Sequence, residues 1–177
     1  QVSLTELGSI KINKEERTKM YKTIPRSSII GFLIGVLPGA GATIASFLAY
    51  GMERNVVNDE EKEKFGKGSV NGLSAPETAN NAACSGSFVP MLTLGIPGSG
   101  TTAVMLGALL GFGVQPGPRL YMTNPEIFWS IIMSMYIGMV ILLILNLPLI
   151  PYIARILAVP KNYLIPLILF FSVTGIY

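Results

Sequence analysis

Four stretches of this sequence carry no charged side chain: Ser27 to Met52, Thr78 to Pro118, Ile127 to Ala154 and Asn162 to Tyr177. A helix needs about 20 apolar residues to cross a bilayer core, and the first three runs exceed that. The charges collect between them. Residues 1–26 hold six basic and three acidic side chains, and residues 53–67 hold four basic and five acidic. Half of the chain is hydrophobic and only 13% is charged, where an ordinary soluble domain carries about a quarter. Disorder requires low hydrophobicity and high charge, so it does not fit. A net charge of +3, without a clustered basic face, argues against nucleic acid as a partner. The lipid bilayer is the expected surroundings.

Missing residue types remove whole chemistries. The chain has no histidine, one cysteine (Cys84) and one aspartate (Asp59). A His/Cys zinc site, a Ser-His-Asp triad and a paired-aspartate centre are all excluded. No disulfide can form within the chain. The expectation is a protein that is not an enzyme and has no cofactor beyond a possible coupling Na+ or H+. The polar, mixed start shows no signal-peptide pattern.

The run from Ile127 to Ile150 is apolar all round, as a lipid-embedded helix is. Trp129 near its start and Tyr152 beyond its end suit interfacial anchors. Asn162 to Tyr177 is equally apolar but covers only about 24 Å of a core about 30 Å thick. The chain is therefore expected to end inside a span, as a piece of a longer protein.

Two other runs are interrupted. Ile29 to Tyr50 contains Leu37-Pro38-Gly39-Ala40-Gly41, and the run from Ser85 contains Ile96-Pro97-Gly98-Ser99-Gly100. Proline and glycine break helical hydrogen bonding at such points. LPGAGATIA and IPGSGTTAV echo each other in mid-run. Paired Gly/Pro interruptions point to a transporter binding site, and internal echoes also mark structural duplication alone. The expected fold class is all-α: a polytopic transmembrane helical protein with broken or re-entrant helices at two PG-x-G motifs. The expected organisation is a basic cytoplasmic segment, 1–26, followed by a transmembrane domain, 27–177. Within that domain come a broken helix or hairpin (27–52), a charged loop (53–70), a polar helix start plus broken helix (71–118), a span (127–150) and a partial span (162–177). The positive-inside tendency assigns 1–26 to the cytoplasm. A hairpin at 27–52 keeps the basic loop after it on that side, whereas a crossing puts it outside. Charge counting favours the hairpin.

The two breaks carry the clearest chemistry. Glycines let a ligand approach the backbone. The helix beginning after each break offers unpaired N–H groups and the positive end of its dipole, which together form an anion site. Gly39, Gly41 and Thr43 at the first break, and Gly98, Ser99, Gly100, Thr101 and Thr102 at the second, are the candidate substrate-binding residues. Close helix packing through small residues explains the same glycines. Gly98 to Ala103 fits a dinucleotide fingerprint by letter, but no strand precedes it and no acid follows at the right distance. PGAGAT lacks the P-loop lysine.

Glu77 is the only charge between Lys67 and Arg119. Ala75-Pro76-Glu77 fits a helix start. Asn80 and Asn81 follow within reach of the same face. Glu77, Asn80 and Asn81 are the candidate ion-coupling residues, through Na+ held by carboxylate and amide oxygens or a proton on Glu77. An exposed acid near a helix N-terminus is the alternative. Arg119, after the turn at Gln115 to Pro118, reads as a snorkelling interfacial residue or a counter-charge for an anion. Cys84 reads as a small packing residue. Asp59 to Lys67 reads as a solvated mixed-charge segment, with Phe65-Gly66 docking at the membrane edge.

These motifs carry a family resemblance. GFLIGVLPGAGATIASFLAYGMER and FGKGSVNGLSAPETANNAACSGSFVPMLTLGIPGSGTTAVMLGALLGFGVQPGP resemble the large membrane subunit of tripartite tricarboxylate transporters, the TctA family. The resemblance runs from about Arg26 to the C-terminus, with P-E-x-A-N-N and L-G-I-P-G-S its most specific segments. It implies a multi-pass protein of the bacterial inner membrane. It also implies two protein partners, a small membrane subunit and an extracytoplasmic solute-binding protein. The implied activity is uptake of citrate-like carboxylates driven by a cation gradient. A pore would need charge-lined rings, and none is present. A structural or assembly subunit without its own substrate site is the remaining alternative.

Overall fold

The computed structural model describes residues 12–154 and 161–175; the expectations for residues 1–11 lie outside them. Every regular element among the described residues is a helix. The chain divides into two compact units, one of which is Ile12–Ser130 and the other of which takes in Ile131 onward.

In the first unit, α1 (Lys14–Val36) and α2 (Gly41–Val56) are joined by a turn at 37–40. Asn13 opens α1 with a capping box: its side chain accepts from Glu16 N–H, and Glu16 Oε2 accepts from Asn13 N–H, both at 2.8 Å. The helix runs through 26/27 without interruption. The rigid charged end and the apolar end are a single rod. Pro38 and Gly39 end that rod, since proline cannot donate and Gly39 adopts φ +80°. The chain then folds back as a hairpin.

The expected charged loop at 53–70 is mostly ordered structure. Helix α2 continues to Val56, and α3 (Asp59–Lys62) follows, capped by Asn58. Phe65 does not face a membrane edge: it is buried against Tyr50 in an edge-to-face pair, with ring centroids 5.2 Å apart. Helix α4 (Val70–Gly86) begins at Val70 and not at Ala75. Ser69 Oγ accepts from Gly72 N–H at 3.0 Å, so the cap lies about two turns before Pro76.

The core of this unit is built from small residues spaced four apart. The buried positions are Thr23, Ser27, Gly31 and Gly35 on α1, Ala45, Ala49 and Glu53 on α2, and Asn71, Ala75, Ala79 and Ala83 on α4. Thr23 meets Asn71, Gly31 meets Ala79 and Gly35 meets Ala83, so α1 and α4 run parallel in constant register. Helix α2 runs antiparallel to both, with Glu53 at the Thr23–Asn71 level. A Cβ on Gly31 would lie 2.6 Å from Ala79 Cα, and one on Gly35 equally close to Ala83 Cα. Glycine is required there by backbone contact. This is packing by close approach, the mode available to helices in lipid.

After α4 come α5 (Phe88–Leu94), a break at Gly95–Ser99, and α6 (Gly100–Gly111). The short α7 (Leu120–Thr123) leads into α8 (Pro125–Ala154). In the second unit, α8 from Ile131 onward and α9 (Lys161–Thr174) carry exposed apolar side chains, among them Leu142, Leu145, Leu169 and Phe170. The segment Pro125–Ile150 is long and apolar enough to cross a membrane.

Candidate functional site

Both predicted breaks are real interruptions, and they lie at the same end of the three-helix core. Helix α4 runs parallel to α1, so its C-terminus arrives beside the α1 C-terminus. The second break then folds back onto that corner. Gly98 is buried, and a Cβ on it would meet Ser87 Cβ at 2.8 Å and the Gly35 carbonyl oxygen at 3.3 Å. Gly35 precedes the first break by two residues.

The two following helices start differently. Helix α2 has no side-chain cap: Gly41 takes φ +70°, and Ala40 donates only to Leu37 O, at 3.2 Å. Its first N–H groups have no side-chain acceptor, and Thr43 is exposed beside them. Helix α6 starts with a capping box. Ser99 N–H donates to Thr102 Oγ1 at 2.8 Å, and Thr102 N–H donates to Ser99 Oγ at 3.2 Å. Thr102 is buried, and its hydroxyl also donates to Ser99 O at 2.9 Å. Those two hydroxyls build the helix start. Gly100 and Thr101 are left as the exposed residues of the first turn.

Glu77 lies on α4 away from this corner, while Asn80 and Asn81 are within a turn of Ala83. At 1.5 Å per residue, Glu77 is about 9 Å along the axis from Ala83. Glu77 and Asn81 are exposed. Asn81 donates to the Glu77 backbone carbonyl at 2.8 Å, not to its carboxylate. Asn80 turns toward α2 and donates to Ser46 Oγ at 3.4 Å. No contact among the described residues joins the Glu77 carboxylate to either amide. Cys84 is exposed on α4 and is not a core residue.

The buried charge is one that sequence reasoning missed. Glu53 is 0% exposed. Its Oε1 accepts from Thr23 Oγ1 at 2.8 Å, Arg26 Nη2 at 2.7 Å and Asn71 Nδ2 at 3.2 Å, and its Oε2 accepts from Arg26 Nε at 3.2 Å. Burial pushes the Glu53 carboxyl up, but the Arg26 fork and the Thr23 and Asn71 donors outweigh it, holding it below the usual carboxylate range. Four residues from three helices thus close the open end of the hairpin. Glu61 is buried nearby, where Lys19 and Ser69 bind its carboxylate. The hydrogen bond from Lys19, above all, holds Glu61 below its ordinary value. The signal that could have found this layer is the four-residue spacing of Ala45, Ala49 and Glu53, which assigns Glu53 to the buried face.

Comparison with known proteins now bears on this geometry. The description "Tripartite tricarboxylate transporter TctA family" matches residues 1–177. A protein of Agrobacterium vitis, "Uncharacterized 52.8 kDa protein in TAR-I ttuC' 3'region", is 40% identical over 177 residues, which is 100% of this chain and 35% of that one. A second from the same organism, "Uncharacterized protein in TAR-II ttuC' 3'region", is 45% identical over 147 residues, 83% of this chain and 60% of that one. The chain thus spans less than two thirds of the length of either relative. No solved structure matches it significantly. With its helical hairpin, its paired Pro-Gly breaks and its long apolar helix, the chain belongs to the TctA family of tripartite tricarboxylate transporters, a family of membrane transporter components and not of enzymes.

Proposed function

We propose that this chain forms part of a secondary active transporter for citrate-like carboxylate anions, coupled to a cation gradient, with the anion held where the two helix breaks converge. The observation that carries this reading is the seating of Gly98 against Gly35 and Ser87, which brings both breaks to one corner of the core. The uncapped start of α2 supports an anion there through Gly39, Gly41 and Thr43. The exposed first turn of α6 supports a second set of contacts through Gly100 and Thr101, with Gly98, Ser99 and Thr102 shaping the approach. The hairpin of α1 and α2 is re-entrant in this reading, entering and leaving on the cytoplasmic face of a bacterial inner membrane. The intact subunit is multi-pass and works with a small membrane subunit and an extracytoplasmic solute-binding protein. Glu77, the only charge between Lys67 and Arg119, couples the cation with Asn80 and Asn81 nearby.

The test is uptake of radiolabelled citrate by the assembled transporter in proteoliposomes, with and without a sodium gradient, repeated with Glu77→Gln. Gradient-dependent uptake that Glu77→Gln abolishes is the expected result. Full uptake by that variant removes Glu77 from coupling. A second reading, a structural subunit without a substrate site, draws on the engagement of Ser99 and Thr102 in helix capping. It requires that Thr43→Val and Gly41→Ala leave uptake intact.

A further inference from the structure

Beyond the two breaks, the segment between α6 and α8 holds a depression that none of the candidate site residues lines. It is shallow and largely open, with a volume of about 450 Å³. Gln115, Arg119, Thr123 and Asn124 supply polar side chains to its lining. The size falls within the range of small-molecule pockets.

Arg119 is the only basic residue between Lys67 and Arg155. Its guanidinium makes no ion pair or hydrogen bond among the described residues, and neither does the Gln115 amide. Arg119 and Gln115 are both exposed, so their donors are open to a ligand that enters the depression. The segment is also fastened to the second break. Gly117 N–H donates to Leu92 O at 3.1 Å, and a Cβ on Gly95 would lie 2.9 Å from Pro116 O. The free cation therefore sits on the loop that packs against the Gly95–Ser99 interruption.

We infer that this depression binds a carboxylate, with the Arg119 fork and the Gln115 amide as its donors. The inference rests on the transport reading for its choice of ligand and adds to it a site and a counter-charge. A guanidinium presents two parallel N–H groups to a carboxylate, a geometry that lysine lacks. Snorkelling to a lipid phosphate uses the same oxyanion chemistry, so the test must separate the two sources.

The experiment is phenylglyoxal modification of the assembled transporter in nanodiscs, read peptide by peptide. Citrate is expected to slow modification at Arg119 and leave exposed Arg54 unchanged, in phosphatidylcholine discs that contain no anionic lipid. Arg119→Gln is expected to raise the KM for citrate uptake about tenfold, and Arg119→Lys to recover part of it. Equal modification rates with and without citrate, in a transporter that takes up citrate, overturn the site and leave the transport reading standing. Protection by citrate without uptake supports the site and removes the transport reading. Protection by phosphatidylglycerol that citrate does not alter assigns Arg119 to lipid and overturns the inference.

Discussion

Arg26 and Glu53 show how much a single side chain decides here. Glu53 is fully buried, while the Arg26 side chain is 39% exposed. Removing the arginine strands a buried carboxylate; removing the carboxylate leaves a guanidinium that water can reach. Arg26→Ala is expected to cost about 2–3 kcal/mol, less than the roughly 3–5 kcal/mol of a fully buried pair because the Arg26 side is partly solvated, and Glu53→Gln less. Thermal melting in detergent ranks the two, and the reverse order would remove Glu53 as the sensitive partner. The pH dependence has two signs. Glu53 and Glu61 have depressed folded values, so their contribution is present above the ordinary 4.5 and lost as pH falls through the folded values. The Lys19 value is raised by its bonds to Glu15 and Glu61, so its contribution is present below 10.5 and lost as pH rises through the folded value. The melting temperature should be flat from about pH 5 to 10 and fall on both sides. Sequence alone could not separate Glu53 from its neighbours, because a charge at the edge of a charged run looks solvated until the helix face is known.

At the scale of elements, the breaks were legible and the packing was not. Pro38, Gly39, Pro97 and Gly98 act locally, through missing donors and permitted torsions, so their effect can be read without a fold. The small residues of α1, α2 and α4 act only through neighbours far along the chain. The α4 start was misread because Pro76 suits a first turn, whereas Ser69 supplies the cap. Gly31→Ala and Gly35→Ala push a methyl into the α4 backbone, and each is expected to cost about 3 kcal/mol or more. Gly51 in α2 has open space around its Cα. Gly51→Ala should therefore stabilise by about 0.5–1 kcal/mol. Chemical denaturation of the three variants checks the contrast, and equal effects would mean that helix propensity, not contact, governs. Ser99→Ala removes one half of the α6 capping box and should cost about 1 kcal/mol. Faster hydrogen exchange confined to the start of α6 would show it.

Over the whole molecule, the hairpin settles which charged segments are neighbours. Lys19 lies 3.0 Å from Glu61, and Arg26 binds Glu53, so the basic start of α1 and the segment after α2 share one end. In the proposed re-entrant reading both segments lie on the cytoplasmic side, because the alternative sends four basic residues across the bilayer. In a Cys84→Ser background, cysteines at Lys22 and Lys62 should react with an impermeant thiol reagent from the same side of the membrane. Labelling from opposite sides would show that the hairpin crosses. The candidate site is legible only in part. The corner formed by the two breaks needs the parallel course of α1 and α4, which no local pattern encodes, while Glu77 stands out by its isolation yet lies away from that corner.

The even spacing of the core has a consequence for how the three helices find one another. Ser27, Gly31 and Gly35 facing Ala75, Ala79 and Ala83 resemble the teeth of a rack, each notch about 6 Å from the next along the helix axis. Sliding one way by a tooth drives the Ser27 Cβ into the place beside Ala79 where only glycine fits, whereas sliding the other way exchanges small residue for small residue. Against that second slide, the Thr23–Glu53–Asn71 rung, with Arg26 beside it, supplies the penalty. It therefore indexes the alignment, as a single polar position does in coiled coils. Replacing Thr23, Glu53 and Asn71 together with alanine should leave the helices paired but able to settle on more than one tooth. Spin labels on α1 and α4 would then report several distances where the unaltered chain gives one.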